Sequence, residues 1–305
     1  MKKTNFKWRR FRYFWNKIDS AVYFLLLLVL VFVLWQTGAL HAMLGQTYSQ
    51  LPFPFDKTFS TTNALTQVTT TTTSIGIFNY AVANFGTMMY NAGITLSALI
   101  PGYLLGALFG YGCALLATVC RKWGGGVLVI LTILVSAPVV ALAPAINNMF
   151  GSSAPYAAKL VIVIITCMAG MAVNAYKGLN TVKPFSGDLM KVYNASSATS
   201  FVKMRLPASL PNTFTALKIN VATAMAAVFI SEIYAYTTSI GLGKVFKTAF
   251  DTQNRTAAWA YIFMAVVVGL IMYAIVADIE KRAIRWHASQ RKSRTCFKFL
   301  WRFPL

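Results

Sequence analysis

The sequence predicts an all-α fold: a polytopic transmembrane helix bundle of six spans with both termini in the cytoplasm. Three observations predict it. Of 305 residues, 57% are hydrophobic and only 11% charged, with a mean hydropathy of +0.59; a soluble domain of this size carries about a quarter charged residues. The apolar residues gather into runs of about 20, the length a helix needs to cross a bilayer. The basic residues fall mostly on one set of alternate loops, as the positive-inside rule requires. A net charge of +21 would otherwise suggest nucleic acid. Here the charges sit at the chain ends and in loops between apolar runs, so no nucleic-acid partner is expected.

The elements follow in order. Residues 1–18 form a basic tail with Lys2, Lys3, Lys7, Arg9, Arg10, Arg12 and Lys17. The first span is Ala21–Leu40. Its apolar stretch is long for a signal peptide and no small-x-small cleavage pattern clearly follows, so a retained anchor is expected. Gln46–Phe85, with an unbroken Thr69–Thr73 run, reads as a solvated outer connection. The second span, Thr95–Cys120, repeats Gly102, Gly106 and Gly110 every four residues. That places them on one helix face, where a neighbouring backbone can approach. The third, Val127–Ile146, is interrupted by Pro138 and Pro144, which a membrane helix tolerates as a kink facing protein or a cavity. The fourth is Ala157–Tyr176, and the sixth is Trp259–Ala277. The fifth, Thr213–Tyr234, carries Ala222 and Ala226 as a weaker packing face. Together, residues 19–279 make the membrane domain and 280–305 a second basic tail.

Six spans put both tails, Arg121–Lys122 and the loop with Lys177, Lys183, Lys191, Lys203 and Arg205 on one side. The other side has only Lys57, Lys159, Lys244, Lys247 and Arg255, so the richer side is cytoplasmic. Asn254-Arg-Thr on the outer side is a formal glycosylation triplet of a kind common by chance.

Chemistry-bearing residues are few. Cys113, Cys120, Cys167 and Cys296 form no CxxC and no disulfide framework, and His41 and His287 stand far apart, so no metal site is expected. Glu232 closes the fifth span near its outer boundary and reads as pairing with Lys244 or Lys247. Lys218 is expected to snorkel to the cytoplasmic surface. Asn174 and Ser136 are candidates for cross-helix hydrogen bonds.

The segment Asp188–Pro211, between spans four and five, is too long for a turn. Leu189, Val192 and Tyr193 share one helical face; Ala195, Ala198, Phe201 and Val202 make a second stripe. Asn194 between them tolerates a left-handed backbone, which predicts a helix–turn–helix break. Leu206-Pro207 is expected to end the second helix, and Pro211 to open the next. Such a pair could rest on lipid headgroups. Its polar face (Ser196, Ser197, Thr199, Ser200) is small and hydroxylated rather than cationic, which suits insertion into a protein cleft.

This segment resembles the EAA loop of binding-protein-dependent ABC importer permeases: Glu-Ala-Ala, three residues, Gly, then Leu-Pro about a dozen residues on. Asp188 falls at the glutamate, Leu189 and Met190 at the alanines, Asn194 at the glycine and Leu206-Pro207 at the Leu-Pro. Leu51-Pro-Phe-Pro54, Thr95-Leu96, Gly102-Tyr-Leu-Leu-Gly106 and Asn174-Ala-Tyr-Lys-Gly-Leu179 are also similar to that family. So are Ala216-Leu-Lys218, Ser231-Glu232 and Gly241-Leu-Gly243. The branch importing nitrate, sulfonates and taurine resembles this chain most, over roughly Leu51–Arg285.

The resemblance implies coupling helices that enter a groove on a separate ATPase subunit. Asp188, Asn194, Ala195, Ser196, Ser197, Ala198, Thr199, Ser200, Phe201, Leu206 and Pro207 would then form the docking surface. It also implies a second permease, identical or paralogous, and an extracytoplasmic solute-binding protein, with membrane lipid around the bundle. No GxxxxGK[ST] phosphate loop is present, so ATP hydrolysis is expected on the partner, and no cofactor on this chain. The competing class, an ion-coupled secondary transporter, should show internal repeats and midplane ionisable residues. Neither is evident, nor is the catalytic constellation a membrane-embedded enzyme would need.

Overall fold

A computed structural model describes residues 20–45, 50–62, 69–136, 139–151, 153–182, 185–235 and 241–286. The amino-terminal tail and the carboxyl-terminal tail beyond residue 286 lie outside the described residues, as do Pro138, Lys183, His287 and Cys296. The elements are α1 (Ser20–Thr37), α2 (Ala39–Leu44), β1 (Lys57–Thr62), β2 (Thr69–Ser74), α3 (Ile77–Ala83) and α4 (Phe85–Val119). They continue with α5 (Arg121–Ser136), α6 (Val139–Phe150), α7 (Pro155–Asn180), α8 (Ser186–Val192), α9 (Ser197–Ile233), α10 (Leu242–Asp251) and α11 (Arg255–Ala283). Two compact units are distinguished, residues 1–85 with 249–260 and residues 86–248 with 261–305.

In the first unit, Leu51-Pro-Phe-Pro54 is a buried plug. Trp35 Nε1 donates to the Pro52 carbonyl at 3.0 Å, and His41 Nε2 lies 2.6 Å from the Leu51 carbonyl. Phe53, fully buried, lies 4.5 Å from the His41 ring, and its carbonyl accepts the Ile77 N–H. The Asp56 carboxylate accepts the Gly76 N–H, and that bond holds its pKa below the ordinary 3.8. The expected all-α class needs one correction. Lys57–Thr62 and Thr69–Ser74 pair as an antiparallel ribbon, Lys57 opposite Ser74 and Thr62 opposite Thr69. The threonine run explains it, since a β-branched side chain fits an extended backbone better than a helix. Asn254, read as a glycosylation triplet, caps α11: its Oδ1 accepts the Ala257 N–H at 3.1 Å.

In the second unit, α4, α7 and α9 supply most of the buried residues. Four helices (α4, α7, α9 and α11) are long and apolar enough to cross a membrane. They match the expected second, fourth, fifth and sixth spans. The expected third span is not straight: Gly124–Leu134 and Val139–Phe150 meet at 93°. Of α1, Leu25–Thr37 is a shorter apolar helix. The helices bury many small and polar residues beside a few large aliphatics such as Leu99, Ile162 and Leu179, and turn many other large aliphatics outward. In α9, Ser209, Thr213, Ala216, Asn220, Ala224 and Ala227 are buried; in α11, Leu270, Ile271 and Ile275 are exposed. A lipid solvent gives no drive to bury leucine, so close packing by small residues decides which face turns inward.

Candidate functional site

The glycine face of α4 packs on α7. A Cβ on Gly102 would stand 2.9 Å from Val163 Cβ, and one on Gly106 would stand 2.7 Å from Cys167 Cβ and 2.8 Å from the Ile164 carbonyl. On Gly110 it would overlap the Met168 carbonyl and reach 2.8 Å from Met171 Cβ. Ala222 and Ala226 behave otherwise: both are exposed, and the packing face of α9 is carried by Ala216, Ala224 and Ala227. The sequence placed small residues correctly and picked the wrong side of the helix.

Cross-helix hydrogen bonds come from residues other than those expected. Asn174 and Ser136 return to their own helices, at the Gly170 and Thr132 carbonyls. Asn220 Nδ2 donates instead to Cys167 O at 2.9 Å, Asn147 Nδ2 to Ser231 O at 3.1 Å, and Tyr103 OH to Leu217 O at 2.9 Å.

Glu232 does not pair with Lys244 or Lys247. Its partner is Lys159 of α7, with Nζ 3.1 Å from Oε1 and both side chains almost wholly buried. Gly243 N–H donates to Oε2 at 2.9 Å. Thr95 Oγ1, 3.0 Å from Oε2, donates to the carboxylate and accepts the Leu242 N–H at 3.0 Å. A Cβ on Gly241 would overlap the carboxylate, and one on Gly243 would overlap the Phe229 carbonyl. The glycines therefore let the chain close over the charge. Lys244, free to turn away, donates to the Ala235 carbonyl. Its place near the end of an apolar run makes Lys159 read as an outer-side charge; α7 instead holds it buried against Glu232. Lys218 likewise pairs, with Glu280 Oε2 at 2.7 Å, rather than snorkelling. Glu280 lies beyond the expected span end at Ala277, but α11 runs on to Ala283 and brings it to Lys218.

The Asp188–Pro211 segment forms the expected helix pair. α8 ends at a left-handed Asn194, φ +49°. Ala195 N–H bonds to Met190 O at 3.0 Å and Asn194 N–H to Lys191 O at 2.9 Å, the reciprocal pair that closes a helix end. Ser196 then opens the next helix, its Oγ accepting the Thr199 N–H at 3.2 Å. Asp188 is exposed and paired with Lys191. Leu189, Val192 and Tyr193 are exposed, with Val192 at 82% and Tyr193 at 75%, far from what water alone favours. Ser196, Ser197 and Ala198 are exposed beside them; Ala195, Thr199 and Ser200 are half-buried. Phe201 turns the other way, onto the buried cluster of Ala114, Ala175 and Leu179.

Leu206-Pro207 does not end the second helix. α9 runs unbroken from Ser197 to Ile233, 37 residues. Phe201–Arg205 is a π turn in which Leu206 N–H reaches back five residues to Phe201 O. Proline lacks an N–H, and its ring displaces the carbonyl four residues before it. The wider turn makes room ahead of Pro207 without breaking the axis.

Several helices long and apolar enough to cross a membrane, packed through small residues, with an exposed helix pair, define a multi-pass membrane protein. The family described as "Binding-protein-dependent transport system inner membrane component" matches residues 102–285, and the chain belongs to it. The chain is 31% identical over 180 residues to a "Probable ABC transporter permease protein" of Haemophilus influenzae, covering 59% of this chain and 72% of that one. It is 24% identical over 197 residues to the nitrate import permease protein NrtB of Leptolyngbya laminosa, covering 65% and 69%. It is 23% identical over 276 residues to the formylaminopyrimidine transport permease protein ThiX of Halalkalibacterium halodurans, covering 90% and 98%. These matches bear out the resemblance read from the sequence: the chain is an ABC transporter permease, a multi-pass inner-membrane protein.

Proposed function

We propose that the chain is the translocation-path subunit of an ABC importer for a small anionic or neutral solute. In this reading it spans the membrane six times with both termini cytoplasmic; α1 and the bent α5–α6 pair complete the count. It acts with a second permease, identical or paralogous, a separate ATPase and an extracytoplasmic binding protein. Asp188 and the Asn194–Ser200 surface dock the ATPase. Leu206 and Pro207 belong to the lever rather than to the contact.

One observation carries the reading: α9 is a single helix of 37 residues, with the exposed surface at one end and the Glu232 cluster at the other. At 1.5 Å per residue it is about 55 Å long, enough to cross a bilayer and still project from it. Movement of the docked end would pass along one continuous helix to the Glu232 cluster.

The test is a complex with a cognate ATPase in which residues 194–200 are replaced by a Gly/Ser linker. Loss of assembly, or of coupling between uptake and ATP hydrolysis, is expected; a complex that stays coupled sinks the docking assignment. Orientation is tested separately by a cysteine at Ser197 in a cysteine-free background. It should resist labelling from outside intact cells, and ready labelling would reverse the topology.

A further inference from the structure

We infer that the two basic tails bind the anionic headgroups of the cytoplasmic leaflet and tie both ends of the chain to the membrane surface. The inference goes beyond the proposed function but rests on its cytoplasmic placement of the termini. The family match covers residues 102–285, so it accounts for neither tail.

The carboxyl-terminal tail grows out of described structure. With 29 residues α11 is about 44 Å long, more than the roughly 30 Å of hydrocarbon it has to cross, so its last turns reach the headgroups. There Glu280 and Ile284 turn inward, 8% and 1% exposed. Lys281, Arg282, Arg285 and Trp286, on the same turns, are exposed. Arg282 lies 2.7 Å from Asp278, whereas among the described residues Lys281 and Arg285 meet no carboxylate. The end of a membrane-crossing helix thus presents cations and a tryptophan outward. The sequence continues in kind: residues 287–305 add Arg291, Lys292, Arg294, Lys298 and Arg302 and contain no acid. Phe297, Phe299, Trp301 and Phe303 occupy every second position among the last of these charges. Residues 1–18, directly ahead of α1, repeat the mixture: seven basic residues, no acid, and Phe6, Trp8, Phe11, Tyr13, Phe14 and Trp15 between them.

Orientation alone does not call for this composition. The positive-inside bias needs lysine and arginine near the span ends and is indifferent to the rings between them. Aromatic side chains settle at the membrane boundary, with the ring among the upper methylenes and neighbouring charges at the phosphates. Clusters of basic residues immediately cytoplasmic of a span are drawn to anionic lipid. A protein cleft reads shape, and would not ask two segments at the ends of different spans for the same mixture. A leaflet extends beneath both.

Cys296 supplies the probe. With Cys113, Cys120 and Cys167 replaced by alanine, the full chain is labelled at Cys296 with a fluorophore. It is placed in nanodiscs of phosphatidylcholine alone or mixed with phosphatidylglycerol, each with a little lipid carrying a nitroxide quencher on its headgroup. Quenching should be about fivefold stronger with phosphatidylglycerol, and about 1 M salt should remove the difference. This comparison changes only the lipid, so a folding defect cannot imitate it. Arg291→Gln, Lys292→Gln, Arg294→Gln and Lys298→Gln together should abolish the phosphatidylglycerol effect, and Phe299→Ser with Trp301→Ser should weaken it about twofold. Equal quenching in the two discs, or quenching unmoved by either set of substitutions, would overturn the site. A signal change on adding the ATPase in phosphatidylcholine alone would reassign the tail to that subunit, and one on adding single-stranded RNA would reassign it to nucleic acid. Labelling of Cys296 from outside intact cells would overturn the cytoplasmic placement itself. Protection there, with equal quenching in both discs, would overturn the lipid site and leave the topology standing.

Discussion

The Lys159–Glu232 pair and the Lys191–Asp188 pair have the same chemistry and the same N–O distance, 3.1 Å. They differ in solvent. The first pair is 3% and 0% exposed, and the second 82% and 70%. Water solvates the exposed charges whether or not they meet, so meeting adds little. Inside the bundle neither charge has an alternative, so the cost of separating them is the cost of a bare ion in a dry interior. The distance therefore says nothing about importance; the surroundings and the remaining hydrogen bonds decide it. Glu232 is further held by Thr95 and by the Gly243 N–H, whereas Asp188 makes one contact to a neighbour three residues along its own helix.

The largest effect should come from breaking the buried pair on one side. Glu232→Ala leaves Lys159 charged and unpaired, at a cost of about 3–5 kcal/mol. It should lower the unfolding midpoint in detergent sharply, or prevent recovery of folded protein. Removing both charges as Lys159→Met with Glu232→Leu should restore most of the loss, because the penalty lies in the widowed charge and not in the missing attraction. A single mutant as stable as wild type would show that water reaches the cluster.

Lys218 and Glu280 test the middle of the range, at 22% and 11% exposure. Lys218→Met should cost about 1–2 kcal/mol, between the buried and exposed limits. If it costs as much as Glu232→Ala, exposure is not the controlling variable and the comparison fails.

The sequence revealed these places unequally, for physical reasons. The Asn194 turn was legible because a left-handed residue is a local requirement, met by one side chain and its neighbours. The glycine face of α4 was legible because a four-residue repeat is geometric. The Lys159–Glu232 pair was not, since its partners lie 73 residues apart and nothing local ranks Lys159 above Lys244 or Lys247. Yet a signal was present. Thr95-Leu96, Ser231-Glu232 and Gly241-Leu-Gly243 each belonged to the family resemblance, and all three converge on one carboxylate. Motif pieces scattered through a membrane protein without chemistry of their own can be read as parts of one buried contact. The passage of α9 through Leu206-Pro207 was hidden for a different reason. Proline statistics assume α geometry, and the π turn at Phe201–Arg205 steps outside it.

The smallest effect is expected at the exposed pair, and it separates stability from function. Asp188→Asn should change the unfolding midpoint by less than about 0.5 kcal/mol in free-energy terms, and less still at high salt, because screening already weakens exposed ion pairs. If Asp188 contacts the ATPase as proposed, the same mutation should nonetheless reduce capture of that subunit. At the buried pair stability and function are lost together, since the cluster holds the bundle itself. A stability-neutral Asp188→Asn with weakened capture would place the work of Asp188 in the partner interface. Stability-neutral with full capture would remove Asp188 from that interface and leave docking to Asn194–Ser200 and the exposed Leu189, Val192 and Tyr193 beside them.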